Sequence, residues 1–225
     1  MEIVHREDLT RGGFAGLKET RMVMDPMAWG NRQEPGSLSG IGLFVYLADA
    51  RFMPLGATGM HPHKEVDVIS IMMEGRIDHK GSLEHGQQLL PYDIQVQRAG
   101  GEGFQHNEVN PDDIENRMLQ LWVLPEVPGQ PAGYRVYRAD PGQRVRVYGG
   151  PDDQSECFAA RTIMEVVRLD PGAKLIHKTP FLAYVASGSG DANGTAVFEG
   201  HLLRDNSLNF SAGEESMLIL VYTIQ

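Results

Sequence analysis

A chain of 225 residues with 41% hydrophobic and 22% charged side chains has the balance of a folded globular protein, which excludes wholesale disorder and leaves room for one large β domain or two of roughly 100 residues. Thirty acidic against 20 basic residues give a formal charge of −10, the wrong sign for a nucleic-acid groove, and no basic cluster offers a membrane anchor. The single cysteine, Cys157, cannot close an intramolecular disulfide, residues 1–18 hold no apolar run of signal-peptide length, and no stretch approaches about 20 apolar residues. The expectation is a soluble cytoplasmic protein with no direct nucleic-acid or membrane contact.

Residues 1–40 lack a clear period, and Gly12-Gly13 and Pro35-Gly36 break regular structure, which predicts loops with short strand fragments. From Ile41 onward, short runs rich in β-branched and aromatic residues alternate with turn clusters. Strands are predicted over 42–47, 66–73, 94–97 and 118–124, then over 134–137, 144–148, 161–169, 182–185 and 217–222. No segment carries a long 3.6-residue period, so the fold class reads as all-β, a sandwich or barrel. Residues 125–152 hold five prolines and five glycines, which places a boundary there and divides the chain into domains 1–134 and 135–225. A faint echo spans this boundary. Met73-Glu74-Gly75-Arg76-Ile77-Asp78-His79 and Leu90-Pro91-Tyr92-Asp93 read like Ala186-Ser187-Gly188-Ser189-Gly190-Asp191 and Phe210-Ser211-Ala212-Gly213-Glu214, which predicts duplicated β domains.

The chemistry concentrates in two short motifs. In His61-Pro62-His63 the imidazoles are two residues apart and share one face of a strand. His106-Asn107-Glu108, 43 residues after His63, repeats that offset with an imidazole and a carboxylate. Two such pairs on two strands can deliver three neutral nitrogens and one carboxylate oxygen to a single ion. That donor set suits Fe(II), Mn(II), Ni(II), Cu(II) or Zn(II) and is too rich in nitrogen for Mg(II) or Ca(II). Four protein donors on a six-coordinate ion leave two positions for water, substrate or dioxygen. A lone His-x-His is more often structural than a metal site. The second pair, following Gly100-Gly101-Glu102-Gly103, tips the reading toward a metal site, because soluble β proteins rarely gather histidines on an inner strand face. His5, His79, His85 and His201 sit among polar residues near predicted turns and read as solvated, and His177 is at most half of a pair. Cys157 reads as a small buried residue, and Met72 and Met73 as core fillers.

The segment Gly59-Met60-His61-Pro62-His63-Lys64-Glu65-Val66-Asp67, with Met73-Glu74-Gly75-Arg76-Ile77-Asp78-His79-Lys80-Gly81-Ser82 after it, resembles the first cupin motif of the pirin family. Residues 98–111, ending Gln105-His106-Asn107-Glu108-Val109-Asn110-Pro111, resemble its second motif, and Leu119-Gln120-Leu121-Trp122-Val123-Leu124-Pro125 the strand that follows. The resemblance covers residues 59–137 well and the rest loosely. It implies the cupin superfamily and a bicupin: two antiparallel double-stranded β-helix (jelly-roll) barrels facing each other. One metal, usually iron, would be held in the N-terminal barrel by His61, His63, His106 and Glu108, with Mn, Ni, Cu, Zn and Co also open. The second barrel would carry no metal site, since Lys174-Leu175-Ile176-His177 stands where the first has its histidine pair and no histidine follows Gly213. Asp67 stands where the family usually has Glu; it either orients an imidazole N–H or is a polar residue of the barrel wall. Lys18-Glu19-Thr20-Arg21-Met22-Val23-Met24-Asp25, Met72, Met73 and Phe104-Gln105 depart from the family pattern and alter the pocket walls.

By this resemblance the chain is a metal-dependent oxygenase similar to quercetin 2,3-dioxygenases, taking a flavonol or related phenolic substrate and dioxygen. Glu108 would be its catalytic residue, accepting the substrate hydroxyl proton. The alternatives are a non-catalytic iron-binding regulatory protein that contacts protein partners, and a cupin isomerase or hydrolase for a small metabolite.

Overall fold

A computed structural model describes residues 1–83 and 87–224. The chain begins with β1 (Glu2–His5), β2 (Arg11–Phe14), β3 (Leu17–Met24) and a one-turn helix, α1 (Pro26–Trp29), whose N-cap Asp25 accepts a hydrogen bond from the Met27 N–H at 2.9 Å. Next come β4 (Phe44–Phe52), β5 (His61–His63), β6 (Asp67–Glu74), β7 (Ile77–Gly81), β8 (Gln88–Leu89), β9 (Asp93–Arg98), β10 (Phe104–Val109), β11 (Arg117–Val123) and β12 (Gly133–Arg138). The remainder is β13 (Arg144–Gly150), β14 (Ala160–Leu169), β15 (Lys174–His177), β16 (Phe181–Ser187), β17 (Ser189–Ala192), β18 (Thr195–Phe198), β19 (His201–Asp205), β20 (Leu208–Ala212) and β21 (Ser216–Thr223). No helix among the described residues is long and apolar enough to cross a membrane.

The strands divide between two units. One comprises Leu9–Ser39 and Leu43–Arg138; the other comprises Met1–Asp8, Gly40–Gly42 and the chain from Ala139 onward. In the first, a sheet ordered β12-β9-β6-β11-β4-β3-β2 accompanies a four-stranded sheet, β5-β10-β7-β8. In the second, β1-β19-β16-β21-β14-β13 accompanies β15-β20-β17-β18. Strands β3 to β11 recur in the same order as β13 to β21, and the pairings between these strands are antiparallel, so each unit is a cupin-type barrel and the chain is an all-β bicupin. Central strands read as continuous apolar runs because both faces are covered: all but the last residue of β6 is buried.

The edges of the large sheets depart from a simple division of the chain. All six residues of β12 pair with β9, and β1 pairs with β19 in the other unit. An edge strand exposes a row of unpaired N–H and C=O groups, and each unit covers that row with a strand that crosses, or lies beyond, a boundary drawn at 134/135. That boundary therefore falls inside β12, and the first eight residues belong with the second unit. Residues 1–40 are also more regular than expected. β3 is an eight-residue strand with six buried positions. Its charged residues hide it: Glu19 is buried because Tyr46 Oη–H donates to it at 2.8 Å and Arg21 Nε–H at 2.8 Å.

Register exposes how the two barrels diverge inside. In the first, Met118 pairs with Met72, Gln120 with Ser70, and Trp122 with Val68. In the second, the same rungs are Leu218 with Val185, Leu220 with Ala183, and Tyr222 with Phe181. The first barrel carries a polar middle layer where the second is apolar. Along the small sheets, His61 pairs with His106 and His63 with Phe104, whereas Leu175 pairs with Phe210 and His177 with Leu208. Glu108 pairs with His79, and its counterpart Ala212 with Gly190. Leu175, Phe210 and Ala212 belong to one apolar cluster with Leu208, Ala192 and Leu220. The second barrel has hydrocarbon at the positions of His61, His106 and Glu108, and keeps an imidazole, His177, at the place of His63.

Phe210 in turn dictates Gly190. A Cβ there would stand 2.5 Å from Phe210 Cζ and 2.5 Å from the Ser211 carbonyl oxygen. Gly190→Ala is expected to destabilise this unit by about 1–3 kcal/mol through overpacking, read as a lowered urea midpoint. An unchanged midpoint would mean that the Phe210 ring can yield.

Candidate metal centre

The centre is built on two paired strands of the first unit. β5 and β10 run antiparallel with His106 opposite His61, and along β10 the buried residues alternate, so Phe104, His106 and Glu108 share the inner face. His63 and His106 are buried, while His61 is half-exposed at the rim. His106 Nε2 lies 2.9 Å from His61 Nε2 and 3.1 Å from His63 Nε2, and the three ligand atoms all fall within 4.8 Å of one another. Two nitrogens each about 2.1 Å from a common ion and at right angles to it stand about 3.0 Å apart. The spacing and the chemistry of the donors fit a first-row transition metal.

The rings are prepared for this role by their second nitrogens. The Gly59 carbonyl, an obligate acceptor, takes the His61 Nδ1–H at 2.9 Å and leaves the Nε2 lone pair facing the cluster. Burial, aided by His61, lowers the His63 pKa to about 4. Burial also lowers His106 to about 2, with His63, His61 and His79 adding to the effect. Both imidazoles are therefore neutral at physiological pH, with lone pairs to donate.

Among the described residues the metal-capable group comprises His61, His63 and His106; Glu108, the expected fourth donor, lies outside it. Its carboxylate is buried on the same face and held elsewhere. Ser70 Oγ–H donates to Oε1 at 3.2 Å and Gln120 Nε2–H to Oε2 at 3.5 Å. Burial pushes the Glu108 pKa up to about 7, and these two hydrogen bonds oppose the rise.

Two other residues occupy places that differ from expectation. Asp67 is fully buried and forms an ion pair with Arg98, its register partner across β6 and β9, at 3.2 Å. To orient an imidazole N–H it would have to share a face with His61 and His63, which requires an unbroken strand. β5 ends at His63, and Glu65, with φ of +53°, turns the chain before β6 begins. His79, expected in solvent, is 1% exposed, and its Nε2 stands 3.1 Å from His106 Nδ1. The signal was present: Ile77 and His79 are two apart in one short strand, and Ile77 is a core residue. His5 and His201 pair edge to face with ring centroids 4.8 Å apart, and His85 lies outside the described residues.

The surroundings are apolar. Phe104 packs 5.2 Å from the His63 ring and Trp122 lies 5.8 Å from it, both in a cluster with Val68. An open cavity of about 560 Å³ reaches His63 past Met60, Lys64, Glu102 and Phe104. Of the residues that depart from the family pattern, Phe104 and Gln105 form part of its wall, while Met72 and Met73 are core residues away from it.

An all-β double barrel with three converging imidazoles in one half is the architecture of a metal-binding cupin. Residues 43–123 match the family model described as Pirin. A Pseudomonas aeruginosa protein, PA1210, provisionally named a quercetin 2,3-dioxygenase, is 32% identical over 174 residues, covering 72% of this chain and 75% of that protein. The chain belongs to the pirin family. The quercetin 2,3-dioxygenase of Escherichia coli (strain K12) is 30% identical over 111 residues, 49% of this chain, and the alignment spans about half of that relative's length, 48%. Among solved structures, bacterial pirin YhhW from Escherichia coli in complex with nickel(II) superposes with a TM-score of 0.84 at 18% identity, covering 100% of this chain and 99% of that one. At that identity the likeness establishes the fold.

Proposed function

We propose that this protein is a metal-dependent dioxygenase that opens the ring of a flavonol or a related phenol. The observation that carries the reading is the convergence of three imidazole nitrogens, one of them on His63, which together with Phe104 lines an open cavity. The names of the curated relatives supply the substrate class.

A divalent first-row ion on the three nitrogens would supply Lewis acidity toward a deprotonated phenol and a path for electrons to dioxygen. Iron is the ion we assign, with nickel, manganese, cobalt, copper and zinc as the others to be compared. His61, His63 and His106 hold it, and Glu108, the next inward residue along β10, is assigned as fourth donor and as proton acceptor. Its carboxylate takes the substrate hydroxyl proton, while Ser70 and Gln120 fix its position. Phe104 offers a flat apolar face to an aromatic substrate from the cavity wall, and Trp122, packed beside His63, helps keep water from the reacting ring. Both atoms of dioxygen enter the product and one ring carbon leaves as carbon monoxide, so no external reductant is consumed.

The test is aerobic incubation with quercetin of protein loaded in turn with each of these ions, following loss of the flavonol absorbance and release of carbon monoxide. Turnover is expected with at least one metal and is expected to stop on chelation. Absence of turnover with every ion, on quercetin and on related phenols, would overturn the reading in favour of a metal-loaded binding protein.

A further inference from the structure

His106 is the hub of the cluster, since both short nitrogen–nitrogen spacings include it. With its Nε2 turned to the other imidazoles, its Nδ1 must carry the proton. That nitrogen has two neighbours, Gln97 Oε1 at 3.2 Å and His79 Nε2 at 3.1 Å. We propose that Gln97, supported by His79, is the positioning residue that fixes the tautomer and orientation of His106, and thereby sets the affinity and ligand field of the metal site. The proposal rests on the metal reading above and adds to it the part of the barrel that tunes the site.

One arrangement of the hydrogen bonds leaves the His106 Nε2 lone pair free for a metal. Gln97 Oε1 can only accept, so it takes the His106 Nδ1–H, and His79 must present its own Nε2 lone pair to the same proton. Gln97 Oε1 also accepts the Gln95 Nε2–H at 2.8 Å, and Gln95 Oε1 accepts the Tyr134 Oη–H at 3.0 Å. Reversing both amides would aim an N–H at Nδ1, force the proton onto Nε2 and remove the lone pair that a metal needs. The direction of the whole chain, from Tyr134 on β12 through β9 to β10, is thus tied to ligation. Gln95 and Gln97 are fully buried and His79 nearly so, which keeps these bonds out of competition with water. The Gln97 amide nitrogen finds no protein acceptor among the described residues. A buried amide left half-satisfied carries a penalty that an apolar residue of the same shape would avoid, so a glutamine here is explained by what its oxygen does. In the second barrel, Phe210 occupies the place of His106, and the corresponding stretch of β19, His201–Asp205, contains no glutamine.

The test measures Co(II) binding to the full chain by titration and by the visible d–d spectrum, for the parent and for Gln97→Met, Gln97→Glu, His79→Phe and His106→Ala. Gln97→Met keeps length and removes the acceptor; it is expected to weaken Co(II) binding about 10- to 100-fold and to shift the bands. Gln97→Glu restores an acceptor and is expected to bind at least as tightly as the parent, a rescue that a merely structural role would not produce. His79→Phe is expected to weaken binding in the same direction, and it carries the test if Gln97→Met does not fold. Equal affinity and unchanged bands in Gln97→Met, or in His79→Phe where that variant carries the test, would overturn the proposal, as would equal weakening in Gln97→Met and Gln97→Glu. Should His106→Ala bind Co(II) like the parent, the metal reading falls and this proposal with it. Sensitivity to His106→Ala alone would leave the metal site standing and sink only the positioning role.

Discussion

Replacing His106 by alanine is expected to lower metal affinity by at least about 100-fold and to leave the purified protein nearly free of metal, with quercetin turnover lost accordingly. A four-ligand structural site contributes roughly 10–16 kcal/mol, so one imidazole accounts for about 3 kcal/mol or more, which is the 100-fold. His106 should cost more than its neighbours. It is fully buried, it forms both of the close nitrogen–nitrogen contacts, and two further side chains are committed to it. His61 is half-exposed, and its second ring nitrogen is held by the Gly59 carbonyl, so His61→Ala is the milder comparison. Elemental analysis of protein purified without added metal reads the outcome, with circular dichroism to verify the barrel. Unchanged metal content in His106→Ala would refute the ligand set.

Much of this centre was legible because strand geometry is local. A two-residue offset puts two side chains on one face wherever a strand forms, and both motifs lie in strands. The glycine turn after β6 was equally readable: Gly75 and Gly188, with φ of +72° and +77°, stand at the same place in the two barrels. Half of the echo was out of phase, however. Residues 90–92 join β8 to β9, whose counterparts are β18 and β19, while Phe210 and Ala212 match His106 and Glu108 on β10. Apolar turns look alike in sequence; only the pairing of strands far apart in the chain separates them. The same limit explains Asp67 and Glu108. That Asp67 faces Arg98 follows from the register of β6 against β9, and that Glu108 is held by Ser70 and Gln120 follows from two strands distant in sequence.

The divergence of the barrels gives that limit a chemical meaning. At one set of positions, the first barrel has Ser70, Gln120, Glu108 and His106, and the second has Ala183, Leu220, Ala212 and Phe210. Buried polar groups persist only when they are hydrogen-bonded, so a polar layer must change as a unit. Removing the carboxylate alone would strand Ser70 and Gln120, and removing the imidazole alone would strand Gln97. The second barrel has neither the carboxylate nor its partners, and one phenylalanine ring packs against a glycine in the space.

Glu108→Gln separates binding from chemistry in the proposed reaction. The amide keeps the size of the carboxylate and can still accept from Ser70 Oγ–H, while Gln120 can turn its own amide to meet the new N–H, so the barrel is expected to fold normally. The three imidazoles remain and the amide oxygen is a weaker donor than the carboxylate, so metal affinity is expected to fall less than in His106→Ala, and excess metal is expected to restore occupancy. What is lost is an anionic oxygen able to take the substrate proton. A positioned general base contributes about 10²- to 10⁴-fold, and kcat is expected to fall within that range with KM changed far less. Steady-state kinetics on metal-matched samples reads the result. Full activity in Glu108→Gln would remove the carboxylate from the mechanism. Loss of metal together with turnover would instead make Glu108 indispensable as a ligand, and the proton would then have to leave by another route.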